Sequence, residues 1–177
     1  MKASHRPEYS LEEMETKYNT ITLLYDLADE LLATVESPFV KDAEAQLKIV
    51  EPVISEISEA TDILTEEFIH ITESRGGHPI IANKTRVENA MRKVFNALNE
   101  YRTDVRASGR RVAGGLRNIA DPVISKIQRH IEEVVVIFFE FLNISLSAIM
   151  HKQQLEAVRI RDPRIALMMH QHALQQQ

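Results

Sequence analysis

Ile49-Val-Glu-Pro-Val-Ile-Ser-Glu-Ile57 is followed, 70 residues further along the chain, by Ile119-Ala-Asp-Pro-Val-Ile-Ser-Lys-Ile127. Six of the nine aligned positions are identical. Helical periodicity alone explains the matching apolar positions, but it does not explain a shared Pro-Val-Ile-Ser. The pattern therefore predicts two related helical hairpins that arose by duplication, and chance similarity between amphipathic helices is the alternative.

The first hairpin is expected over about 10–74. Ser10-Leu-Glu-Glu13 matches a capping box, in which the serine and glutamate side chains satisfy free backbone N–H groups at the start of a helix. The apolar residues that follow alternate spacings of three and four, which predicts a long helix with one buried seam. The residues of this seam are Leu11, Met14, Tyr18, Ile21, Tyr25, Ala28, Leu32 and Val35.

A second helix is expected to begin at Ser37-Pro38, since a serine cap followed by proline is typical of a helix start. Pro52 lies inside this helix and has no backbone N–H, which predicts a kink or a short break at about 48–52. Arg75-Gly-Gly-His-Pro79 predicts the turn that ends the hairpin. The expected buried stripe consists of Phe39, Ala43, Leu47, Val50, Ile54, Ile57, Leu64, Phe68 and Ile71.

The second hairpin is expected over about 81–160. Its first helix should occupy about 82–108, with a buried stripe at helical spacing. The glycine-rich stretch Gly109–Gly115 should hold the connection to the next helix. The stripe consists of Val87, Met91, Val94, Leu98, Tyr101 and Val105.

A long fourth helix is expected to end near residue 160. It begins either near residue 110 or near 121, where Asp121-Pro122 supplies a cap followed by proline. Asp162-Pro163 repeats that signal and predicts a short terminal helix over about 163–174.

The composition of the 177-residue chain fits one helical domain spanning 1–177. Aromatic residues make up only 6%, tryptophan is absent, and glycine and proline are scarce, so aliphatic helices fit better than a turn-rich sheet. The lack of cysteine excludes disulfides, thiolate metal sites and cysteine nucleophiles. We therefore predict an all-α, antiparallel four-helix bundle of two related hairpins with a short C-terminal helix. No apolar run follows the basic N-terminal residues, so a cytoplasmic protein is expected.

Charge is distributed unevenly along the chain. The net charge of −5 combines −12 over residues 1–74, +8 over 75–129 and −1 over the remainder. One interpretation is that acidic helices pack beside basic ones, within one chain or across a dimer; the other is an anionic partner for the basic part. Guanidinium forks bind phosphate, and nearby glycines let backbone N–H groups approach it. The candidate anion-binding residues are Arg102, Arg106, Arg110, Arg111 and Arg117.

The stretch 134–150 is apolar nearly all round, whereas a bundle helix normally carries one apolar stripe. We interpret its second face as a subunit interface, with burial inside the monomer as the alternative. A membrane span is not expected, because 17 residues is near the short limit and Glu140 lies near the middle. The expected interface residues are Val135, Phe138, Phe139, Leu142 and Leu146.

Glu67-Phe-Ile-His70 has the Glu-x-x-His spacing of diiron helical bundles. The second motif that such a site requires is missing, because the repeat places Ile137 and Glu140 at the matching positions. We therefore interpret Glu67 and His70 as solvated surface residues, and we expect no metal or cofactor. A degenerate metal-binding bundle would use Glu67, His70, His130 and Glu140.

These features favour a non-catalytic helical interaction or scaffolding protein that self-associates through an apolar helix. A homodimer is the expected oligomer, with an unidentified protein as a further partner. The first alternative is a polyanion-binding protein whose arginine cluster at 102–117 binds nucleic acid or an anionic surface. The second alternative is the metal-binding bundle. No catalytic residue is assigned, because none of the seven histidines forms a recognisable pair with a nucleophile.

Overall fold

A computed structural model describes residues 10–73, 83–109, 115–146 and 149. Within these residues the chain forms four helices and no strand, which confirms the all-α fold. The terminal helix expected over 163–174 lies outside the described residues. The helices are α1 (Leu11–Val35), α2 (Ala43–Glu73), α3 (Lys84–Gly109) and α4 (Gly115–Leu142).

The four helices surround one apolar core. Each helix packs against two others, so that α1 and α3 both contact α2 and α4. The contacts between α1 and α4 run in opposite directions along the two helices. Glu30 pairs with Lys126, and Thr20, which lies earlier in α1, contacts His130, which lies later in α4. The relationship of the two hairpins as repeated copies stays a prediction. Every helix contributes fully buried aliphatic side chains, among them Ile21, Ile57, Leu98 and Ile127.

The predicted stripes differ in how well they match the core. All six stripe positions of α3 are buried, as the spacing predicts. In α1 the seam is shifted, because Leu24 and Leu31 are buried where Tyr25 and Leu32 were expected. Leu11, at the start of the predicted seam, is 80% exposed. The predicted heptad pattern is therefore wrong by about one residue in parts of α1 where two apolar residues are adjacent and either one could be the buried residue.

Neither proline of the repeated stretch interrupts its helix. Pro52 lies inside the continuous helix α2, so the break that was one alternative at about 48–52 is absent. Pro122 lies inside α4, which begins at Gly115, so of the two helix starts left open the one near residue 121 is wrong. Both prolines are exposed. The carbonyl groups that lose their hydrogen-bond donors therefore lie on the solvent side of the helix, where water can satisfy them.

Two helix boundaries also differ from the prediction. Helix α2 begins at Ala43 rather than at Ser37-Pro38, and Asp42 just before it has a positive φ of 57°. Helix α4 ends at Leu142 rather than near residue 160, because Asn143 takes a left-handed conformation that asparagine tolerates better than most residues. The left-handed residue divides the apolar stretch 134–150. None of the described helices is long and apolar enough to cross a membrane.

Tyr25 and Tyr101 differ in whether their hydroxyl groups form a hydrogen bond. The Tyr25 hydroxyl on α1 donates a hydrogen bond to Asp62 on α2. Tyr101 is almost fully buried, and its hydroxyl has no hydrogen-bond partner among the described residues. Burial raises the pKa of both tyrosines to about 12, and the Asp62 carboxylate adds to the effect on Tyr25. Tyr101 therefore carries a buried polar group whose desolvation is uncompensated.

Phe138 and Phe39 are predicted to differ greatly in their contributions to the free energy of unfolding. Phe138 is fully buried and packs edge-on against Phe68, with ring centroids 6.5 Å apart, whereas Phe39 is 76% exposed. We expect Phe138→Ala to lower the free energy of unfolding by about 3–5 kcal/mol and Phe39→Ala to change it by less than about 0.5 kcal/mol. Urea unfolding followed by circular dichroism measures both. Equal losses would contradict this packing.

The two tyrosines predict opposite effects on stability at pH 7. Tyr101→Phe removes the unpaired hydroxyl and should raise the free energy of unfolding by about 1 kcal/mol, whereas Tyr25→Phe should lower it by about as much. The folded-state pKa of Tyr101 lies above the unfolded value of 10. Ionisation of this tyrosine therefore leaves the free energy of unfolding unchanged below pH 10 and lowers it as the pH rises towards 12. Tyr101→Phe should therefore flatten the alkaline loss of stability in urea titrations at successive pH values. A loss of stability at pH 7 in Tyr101→Phe would refute the assignment.

Candidate functional site

Three arginines of the predicted anion site surround one carboxylate, that of Asp121. The Arg102 Nε lies 3.7 Å from its Oδ1, and Nε of Arg106 and Nε of Arg117 lie 3.7 and 3.9 Å from its Oδ2. Arg110 and Arg111 lie outside the described residues. The structure therefore brings together three of the five arginines and adds an aspartate that the sequence did not assign to the site.

The end of α3 and the start of α4 position this cluster. Arg102 and Arg106 lie one turn apart near the end of α3, and Arg117 lies one turn before Asp121 in α4. An additional hydrogen bond, from Nη2 of Arg102 to Oγ of Ser125 at 3.0 Å, fixes the Arg102 guanidinium against α4. The site thus depends on the contact between α3 and α4, and on α4 beginning at residue 115.

The cluster has a surplus of positive charge. Three guanidinium groups face one carboxylate, and the Arg106 and Arg117 side chains are each 54% exposed. Neither of these two guanidinium groups donates a hydrogen bond to any residue that the structure describes. Since each carries five N–H donors, both side chains have donors that no described residue uses. It is therefore able to bind an oxyanion.

The apolar residues of α4 divide into a buried and an exposed set. Val135 and Phe138, both predicted at a subunit interface, lie in the core of the single chain. Leu142 and Leu146 are half-buried. Phe139 is 51% exposed, and Val136, which the prediction omitted, is 63% exposed. Among the described residues of α4, the exposed large apolar side chains are therefore Val136 and Phe139.

Glu67 is buried, so its interpretation as a solvated residue is wrong. Only 3% of the residue is exposed. Its Oε1 accepts a hydrogen bond of 2.8 Å from Nη1 of Arg86, and its Oε2 accepts one of 3.2 Å from the backbone N–H of Asn83. The carboxylate therefore joins α2 to the start of α3, where the Asn83 side chain also caps the helix by accepting from the Arg86 N–H.

The spacing of the buried residues along α2 indicates that Glu67 lies in the core. Ala60, Leu64, Glu67 and Ile71 follow one another at steps of four, three and four, and the other three are all in the core. A carboxylate at such a position needs a paired cation. The partner Arg86 is 19 residues away, across a connection whose geometry the sequence does not specify.

His130 lies in a groove between α1 and α4 that the sequence analysis missed. The groove has a volume of about 710 Å³, and its walls include Thr20 and Leu23 of α1 and Arg129 of α4. The His130 Nε2 lies 2.5 Å from the backbone oxygen of Thr20, and its Nδ1 lies 3.3 Å from the Glu133 carboxylate. Because a carbonyl oxygen only accepts, Nε2 carries the hydrogen of the first contact. His130 therefore links the two helices.

The residues of the predicted metal alternative do not come together. Glu67 pairs with Arg86 and His130 contacts α1, whereas His70 and Glu140 lie on the surface. Over residues 10–73, 83–109, 115–146 and 149, no group of three or more histidine or acidic side chains is arranged to hold a metal ion.

The buried carboxylate predicts a clear contrast between two adjacent glutamates. Glu66 also contacts Arg86, at 3.1 Å, but its side chain is mostly exposed. We expect Glu67→Ala to lower the free energy of unfolding by about 2 kcal/mol, because it leaves the Asn83 N–H without its acceptor. Glu66→Ala should cost less than about 1 kcal/mol, as exposed ion pairs do. Chemical denaturation of both variants measures the difference, and equal losses would contradict the role of Glu67.

Comparison with known proteins gives no relative on which to base a function. No protein-family model, no curated protein and no solved structure matches the chain. A four-helix architecture supports many unrelated activities, so the function has to be argued from the sites themselves.

Proposed function

We propose that this chain is a non-catalytic helical interaction module that forms a homodimer through the outer face of α4. The observation that carries the proposal is the exposure of Val136 and Phe139, which lie three residues apart and hence on one side of the helix. Large apolar side chains that adjoin on a surface favour burial against a partner. Contacts of α4 with the other described helices leave both side chains more than half exposed.

The position of Phe139 relative to α3 follows from the contacts along α4. Asp121, Ser125 and Gln128 all bond to residues of α3. Phe139 follows Asp121 by 18 residues, which is five turns of an α-helix, and so lies on the same edge of α4. Gln128 pairs with Asn99, and eleven residues further along α4 bring Phe139 level with about residue 88 of α3.

Charges around this apolar pair support a second copy of the chain as the partner. Glu132 and Glu140 are exposed on α4, on either side of Val136 and Phe139. Arg92 and Lys84 lie on the edge of α3 that faces α4, where Lys84 also pairs with Glu88 at 3.8 Å. In a two-fold dimer the same patch meets itself, so the acidic edge of one copy can lie against the basic edge of the other. The patch thus combines charges of both signs with an apolar centre, which supports pairing of two copies.

The test is the molar mass of the full chain in solution. We expect size-exclusion chromatography with light scattering to give twice the 20.2 kDa chain mass for the unmodified protein. Phe139→Asp and Val136→Asp should each shift the mass towards that of the monomer, because a carboxylate would be buried at the contact. Phe39→Asp is the matched control, since Phe39 is also exposed but lies in the α1–α2 connection, and it should leave the mass unchanged.

Circular dichroism of each variant separates loss of association from loss of folding. A monomeric unmodified protein would refute the proposal. A dimer that persists in folded Phe139→Asp and Val136→Asp variants would also refute it, because the contact would then lie elsewhere.

A further inference from the structure

We infer that Arg102, Arg106 and Arg117 form a binding site for a phosphomonoester group, either on a small molecule or as a lipid headgroup. The site is independent of the proposed dimer contact, which lies further along α4. Two guanidinium groups that donate to no described residue, and a third held by Ser125, converge within 4 Å of a single carboxylate.

The distances show that Asp121 forms ion pairs with the three arginines but accepts no hydrogen bond from the Nε–H groups that face it. A charge-assisted hydrogen bond between a guanidinium and a carboxylate measures about 2.7–2.9 Å, whereas the three contacts here measure 3.7–3.9 Å. Nε of Arg102 and Oδ1 of Asp121 are both buried, and neither has a hydrogen-bond partner among the residues that the structure describes. Asp121 therefore gathers the three cations without satisfying their hydrogen-bonding capacity.

The charge of the cluster matches a dianion. Three arginines and one aspartate leave two unbalanced positive charges. A phosphomonoester carries a charge of about −1.5 to −2 at pH 7 and offers three acceptor oxygens. A phosphodiester, such as the backbone of nucleic acid, carries one charge per group, so the cluster fits a terminal phosphate better.

The position of Arg117 supports a binding role rather than a stabilising one. Arg117 lies in the first turn of α4, which contains no acidic residue. The positive end of the helix dipole disfavours a cation there and favours a bound anion. The arginine also precedes its aspartate by four residues, which is the weaker order for a helical ion pair. A residue that opposes local stability is the kind found at functional sites.

The experiment titrates the full chain with inorganic phosphate and with phosphoserine by calorimetry at constant ionic strength. We expect saturable binding to the unmodified protein. In Arg106→Gln/Arg117→Gln the affinity should fall at least about tenfold, because each arginine supplies charged hydrogen bonds. Arg129→Gln is the matched control: Arg129 is exposed on the same helix, outside the cluster, and its loss should leave the affinity within about twofold.

Asp121→Asn distinguishes a ligand site from a structural ion cluster. Removing the competing carboxylate should strengthen phosphate binding several-fold while lowering the stability of the unliganded protein, and phosphate should restore that stability. If Asp121→Asn does not fold, Arg106→Lys serves instead. It keeps the charge but loses the guanidinium fork, so it should still weaken binding.

Further ligands identify the source of the phosphate and the outcomes that refute the site. Vesicles containing phosphatidic acid test a lipid headgroup, and binding to them that is lost in the double variant would assign the site to lipid. Binding to phosphoserine without binding to vesicles would assign it to a soluble ligand. The inference fails if no phosphate binds, if the double variant binds equally well, or if a single-stranded oligonucleotide binds more tightly than phosphoserine. None of these results depends on the dimer, whose mass is measured separately.

Discussion

Burial of aliphatic side chains between four helices is the interaction on which the other features of this molecule depend. Ile21, Ile57, Leu98 and Ile127 are fully buried, one from each helix, and removing such residues from water is the main source of folding free energy. The core fixes how each helix is rotated about its own axis. That rotation decides which residues of α4 become exposed and which arginines meet at the contact between α3 and α4.

The polar interactions act within this frame and locate the helices relative to one another. The Glu67 carboxylate bonds both to the Arg86 side chain and to the backbone at Asn83, and it thereby fixes where α3 begins against α2. His130 holds α4 to α1 in a similar way, through the backbone oxygen of Thr20. Burying a polar or charged group costs desolvation unless the group is paired, so both contacts disfavour other alignments of the helices.

The sequence predicts which residues of a helix are buried when its apolar residues lie on one side only. It does not when adjacent residues are equally apolar. In α3 the apolar residues are confined to one side of the helix, and all six predicted residues are buried. In α4, Val134, Val135 and Val136 are equally apolar, so only the positions of α1 and α3 decide that Val136 is exposed. The arginine cluster was recognised from composition, but its meeting with Asp121 requires α4 to continue through Pro122. The partner of Glu67 likewise depends on a contact between distant residues.

The same edge of α4 carries both proposed sites, and its length keeps them apart. Asp121 and Phe139 are 18 residues apart on that edge, which corresponds to about 27 Å at a rise of 1.5 Å per residue. A second copy centred on Phe139 can therefore bind without covering the arginines near Asp121. At that separation, salt screens most of the interaction between a bound phosphate and the charges around Phe139. Phosphate binding and dimer formation are thus expected to be energetically independent unless phosphate changes how α3 packs on α4.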